Sequence, residues 1–158
     1  PRNRSFSMGI KFRCANNSTD GGTFYLCGNY HSPDGNRLCL SISDGKVSAG
    51  YDDTSASFFG NNSSFSSVDD GEWHFALLNV DLSSNTVSLH VDNSDYTSIE
   101  TSTSIGSSRG LGVGGAVNTN RTYGALYNFV GDIADFIVMD RHLSNNEIAD
   151  LTDWALGI

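Results

Sequence analysis

Residues 5–13 read SFSMGIKFR, in which Phe6, Met8, Ile10 and Phe12 alternate with polar or small residues. A period of two puts these four side chains on one face of a β-strand, because successive Cβ atoms leave the pleat on opposite sides. The pattern returns at 37–43 (RLCLSIS), through Leu38, Leu40 and Ile42, and at 86–91 (TVSLHV), through Val87, Leu89 and Val91. Further strand signals lie at 23–28, 46–51, 64–68, 96–101, 110–115 and 129–139. Residues 73–80 (WHFALLNV) are the most apolar run and predict a strand covered on both faces. Trp73 is expected in the core, opposite a second sheet. Asp44-Gly45 separates two strand runs and signals a hairpin. Only 144–156 predicts a helix: Ser144 and Glu147 make an S-x-x-E capping box, and Ile148 and Leu151 share a face with Trp154 or Ala155. About ten short strands without interleaved helices predict an all-β fold, a two-sheet antiparallel jelly-roll sandwich with one short C-terminal helix.

At 158 residues the chain suits one domain, 1–158, and its opening at Pro1 suggests a piece of a larger protein. A domain of this size buries roughly 70% of its unfolded surface, so no disulfide or metal is needed to hold it. Eighteen acidic against nine basic residues give a net charge of −9. That balance excludes nucleic acid, which is bound by exchanging counterions for Lys and Arg. It also disfavours anionic membranes, and no apolar run is long enough to insert into one. Cys14, Cys27 and Cys39 lie in or beside apolar strands, as small buried hydrophobes do, although a Cys14–Cys27 bridge stays open.

From Gly71 onward, five short motifs follow one another: Gly71-Glu72-Trp73-His74, Leu89-His90-Val91-Asp92-Asn93, Leu111-Gly112-Val113-Gly114-Gly115, Phe129-Val130-Gly131-Asp132-Ile133-Ala134-Asp135-Phe136, and Arg141-His142-Leu143-Ser144 with Glu147-Ile148. In this order they resemble the laminin G-like, concanavalin A-like jelly-roll family, over about half the chain. The resemblance implies a scaffold that hosts lectins, adhesion modules and hydrolases alike. Calcium-binding members carry an aspartate just before the G-x-W/Y-H motif, and Asp70 matches it. Ala134 stands where the family usually has aspartate, which weakens a second family calcium position. His74, within the W-H motif, is expected to pack and bond structurally.

Catalytic constellations are missing. The glutamates are Glu72, Glu100 and Glu147, and no two stand in the compact run that glucanases of this fold use to set paired carboxylates across a glycosidic bond. No serine stands out as a nucleophile among so many. A binding module is therefore expected, not an enzyme. Alternating hairpin connections would gather Asp20, Asp44, Asp70 and Asp92 on one rim of the sandwich, where calcium as cofactor finds oxygen ligands; turns also favour aspartate for their own geometry. The same rim should receive the loop AVNTNRTYGALYN. There Asn118, Asn120 and Arg121 offer planar hydrogen bonders for sugar hydroxyls, and Tyr123 and Tyr127 offer aromatic faces. The expected partner is a glycan or glycosylated surface, met by an extracellular, cell-surface or virus-particle protein. The competing expectation is a structural or protein-interaction domain of a fibre-like protein.

Overall fold

The computed structural model describes residues 4–15, 23–30, 37–52, 58–59, 65–99, 111–115 and 128–158. Within them the elements run β1 (Phe6–Ala15), β2 (Thr23–Tyr30), β3 (Arg37–Ser43), β4 (Lys46–Asp52), β5 (Phe58–Phe59), β6 (Asp70–Asp81), β7 (Thr86–Val91), β8 (Ser94–Ile99), β9 (Gly112–Val113), β10 (Asp132–Met139) and α1 (Asn145–Leu156). One sheet has the order β10-β1-β6-β7-β8 and the other β5-β4-β3-β2-β9, with antiparallel neighbours throughout. This is the expected two-sheet sandwich with a single C-terminal helix among the described residues.

The alternation read from the sequence is the core. Phe6, Met8, Ile10 and Phe12 of β1, Ala76, Leu78 and Val80 of β6, and Val87, Leu89 and Val91 of β7 face Leu26, Leu38, Leu40, Ile42 and Val47 of the opposing sheet. Cys14 and Cys27 join this cluster, and Cys39 is buried elsewhere; all three are free thiols. Burial pushes the Cys27 thiol pKa up, so it stays protonated and inert. The odd positions of β6 do the reverse: Phe75 and Leu77 leave the sandwich on its outer side, where Leu143, Ile148 and Ala155 cover them. That covering helix begins as its sequence dictates. The Ser144 hydroxyl accepts from Glu147 N–H, the Glu147 carboxylate accepts from Ser144 N–H, and Gly157 closes the helix in the left-handed region.

Three expectations need correction. Trp73 is an odd residue of β6, so its ring lies on the outer face and not between the sheets. It is only partly buried, with the Lys11 ammonium 5.4 Å and the Arg13 guanidinium 4.9 Å from its ring. Residues 65–69 are not a strand: Phe65 and Val68 plug the core end, and Val68 N–H donates to the Gly45 carbonyl at 2.8 Å. The strand in that region is β5. One strand replaces another, and the described Asp44-Gly45 turn stays on its expected rim. Finally, β10 begins at Asp132 rather than at residue 129. Gly131 approaches β1 so closely that a Cβ there would run into the Arg13 carbonyl oxygen.

Candidate functional site

The registers define an upper rim. Ala15 pairs with Asp70, Val91 with Ser94, and Arg13 with Asp132, so the start of β6, the β7–β8 turn and the start of β10 share one end of the first sheet. The Asp44-Gly45 turn joins them from the second sheet, through Val68 N–H and the Ser67 hydroxyl on the Gly45 carbonyl. Asp44 and Gly45 both take positive φ, 51° and 70°, as a two-residue hairpin turn requires.

His74 is the centre of this rim. It points inward from β6, buried against Phe12 with ring centroids 5.9 Å apart. Its Nε2 lies 3.0 Å from Asp70 Oδ1 and its Nδ1 lies 2.8 Å from Asp92 Oδ2. Ionised carboxylates only accept, so satisfying both contacts requires both ring nitrogens to donate, as in the imidazolium. Burial opposes that charge, yet the hydrogen bonds that His74 donates to Asp92 and Asp70 outweigh it and raise the His74 pKa. The same bond from His74, with Glu72 N–H at 2.9 Å, lowers the Asp70 pKa. Asp92 also caps the strand end by accepting from Phe75 N–H at 2.9 Å.

Of the proposed calcium ligands, Asp70 and Asp92 thus meet around one histidine and spend oxygens on protein donors. Asp44 sits in the neighbouring turn, and Asp20 lies outside the described residues. Among the described residues, no group of three or more His, Cys, Asp or Glu side chains is arranged to hold a metal ion. The sequence placed His74 in a family motif but did not show its partners. Asp92 is 18 residues away, and only the β6–β7 pairing brings it back.

The candidate sugar loop, with Asn118, Asn120, Arg121, Tyr123 and Tyr127, also lies outside the described residues. Its two ends do not. Gly114 N–H donates to the Leu26 carbonyl at 2.8 Å, Phe129 N–H donates to the Gly114 carbonyl at 3.1 Å, and Asn128 bridges Tyr25. Phe129 then meets Phe12 edge-on, with centroids 6.0 Å apart. The rings of His74, Phe12 and Phe129 therefore run in series from the histidine to the loop base. Glu147 is held at a pKa of about 2 by the Arg141 guanidinium and the Ser144 cap, the wrong state for a general acid.

Residues 17–141 match the laminin G domain family. The chain belongs to that family. No curated protein matches it in sequence. Solved structures share the laminin G domain's fold at low identity. The sialidase carbohydrate-binding module CBM40 of Ruminococcus gnavus, bound to α2,3 sialyllactose, superposes with a TM-score of 0.72 at 17% identity, over 94% of this chain and 82% of that one. Domains LG4-5 of the mouse laminin α1 chain give 0.62 at 19% identity, over 92% of this chain and 39% of that one. The binding domain of botulinum neurotoxin serotype D gives 0.63 at 13% identity, over 96% and 37%. Among the described residues, no helix of this laminin G domain is long and apolar enough to cross a membrane.

Proposed function

We propose that this laminin G domain is a non-catalytic glycan-recognition module of an extracellular, cell-surface or virus-particle protein, and that it binds through the loop at 116–127. The observation that supports this most is the anchoring of the loop's ends. Gly114 and Phe129 are hydrogen-bonded to each other, and Phe129 is seated on the Phe12–His74 rings. A binding loop held at its base loses less conformational freedom when it closes on a ligand. Asn118, Asn120 and Arg121 supply donors and acceptors for hydroxyls, and Tyr123 and Tyr127 supply stacking faces. The sialyllactose-bound module of similar fold supports a glycan as the class of ligand.

A glycan array spanning neutral and sialylated sugars tests this. Saturable binding to one sugar class is expected. Arg121→Ala and Tyr123→Ala should each lose it without lowering the melting temperature. Silence across the array, together with self-association of the chain, would overturn the reading in favour of a structural domain of a fibre. Release of sugar product from a polysaccharide would overturn its non-catalytic half.

A further inference from the structure

A cleft of about 250 Å³ opens on the outer side of the first sheet, between the β7–β8 turn and α1. Its strand wall includes His90, Asn93 and Asp95, and its helix wall carries Asn145, Ile148 and Ala149. Asn145, Ile148 and Ala149 lie three and four residues apart, so they share one helix face. Both walls are fixed. The capping box holds the start of α1, and Asn79 ties Leu143 to β6 through bonds of 2.9 Å to its carbonyl and its N–H. On the other wall, Asp92 is bound to His74 and to Phe75 N–H.

Several polar groups of this cleft make no hydrogen bond among the described residues, although Asp92 and Thr152 do. His90 Nε2 lies 3.0 Å from the Ser88 hydroxyl, while its Nδ1 has no hydrogen-bond partner among the described residues. The side chains of Asn93, Asp95 and Asn145 likewise make no hydrogen bond there. Two amides, a carboxylate and an imidazole nitrogen thus surround a small apolar patch formed by the exposed Ala149 and the buried Ile148. Drug-sized ligands need pockets of roughly 300–1,000 Å³, so this cleft suits a single ring. No Lys or Arg lines it, while Asp92 and Asp95 do, which disfavours an anionic ligand by like-charge repulsion. Hydroxyl groups suit both carboxylate and amide, because they donate and accept.

We infer that this cleft is a subsite for one neutral pyranose unit, with Asp95 and Asn145 bonding its hydroxyls from opposite walls and Ala149 beneath its apolar face. The inference rests on the proposed glycan recognition and adds a second site to the one proposed at 116–127.

The test is a titration of the isotope-labelled chain followed by amide NMR. The probes are the methyl glycosides of galactose, glucose and mannose, then 3′-sialyllactose, then calcium alone. At least one neutral glycoside should give saturable shifts centred on 90–95 and 145–149. Asp95→Ala should weaken its binding at least tenfold. So should Ala149→Leu, which crowds that patch while keeping every polar group and suits a helix. Unchanged affinity in both variants would overturn the inference, as would neutral glycosides that shift only the 116–128 signals; either result leaves glycan recognition standing. Shifts at the cleft with calcium but with no sugar would make it a cation site and overturn the inference. No shift anywhere, with a silent array, would end both readings together.

Discussion

Replacing Asn79 with alanine removes three hydrogen bonds from a buried position. The Asn79 carboxamide accepts from the Ser7 hydroxyl at 2.7 Å and from Leu143 N–H at 2.9 Å, and it donates to the Leu143 carbonyl at 2.9 Å. Asn79 is 8% exposed and Leu143 3%, so water cannot easily replace the lost partner. A buried donor or acceptor left unpaired costs about 1–3 kcal/mol. Two orphaned backbone groups on Leu143 therefore cost about 2–6 kcal/mol. The Ser7 hydroxyl adds little, because it also lies 2.9 Å from the Arg141 carbonyl. In a chain of this length, each kcal/mol moves the melting temperature by roughly 2–4 °C, so a drop of about 5–20 °C is expected. Urea unfolding, followed by tryptophan fluorescence and by circular dichroism, measures it. Asn79→Asp should fall between wild type and alanine: its carboxyl accepts from Leu143 N–H in either form, and only when protonated can its O–H donate to the Leu143 carbonyl. A loss below about 1 kcal/mol, the scatter of ordinary surface substitutions, would refute the claim that Asn79 holds the helix connection to the sheet.

The His74 contacts predict a stability that depends on pH. The His74 pKa is raised above 6.5, so its contribution is full below that value and lost as pH rises through the folded pKa; the Asp70 pKa is lowered below 3.8, so its contribution is present above that value and lost as pH falls through the folded one. The urea midpoint should therefore fall between pH 6 and pH 9 in wild type and much less in His74→Gln; equal falls would mean that His74 carries no charge in the fold. Trp73→Ala should cost about 1–2 kcal/mol, less than the roughly 3–5 kcal/mol of an emptied core site, because the ring lies on the outer face beneath Lys11 and Arg13; a loss above about 3 kcal/mol by chemical unfolding would return it to the core. Calcium bound through Asp70 at this rim would raise the melting temperature at roughly 0.1–1 mM, the range of extracellular modules, and Asp70→Ala would remove the rise; no rise in wild type would leave Asp70 as a partner of His74 and of Glu72 N–H.

The division between sequence and tertiary structure follows the range of the interactions involved. Strands β1, β3 and β7 were legible because each alternates on its own, and the start of α1 because Ser144 and Glu147 cap it three residues apart. The two sheets and the rim carrying Asp44, Asp70 and Asp92 followed from counting antiparallel turns, and that count survived the exchange of 64–68 for β5 because the number of strands did not change. The face of Trp73 was not legible. WHFALLNV is apolar at both parities, since the second sheet covers one side of β6 and α1 the other, and a run without alternation carries no sign of which side is which. Asn79 interrupts that run, and its partner Leu143 stands 64 residues away in sequence. His74 could be recognised as part of a motif, but its charge state depends on Asp92, and the cleft beside it depends on α1 packing across β6. These are properties of side chains that share no local segment. Chain neighbours determined which elements form, and only the register between strands and the docking of the helix decided which side chains meet.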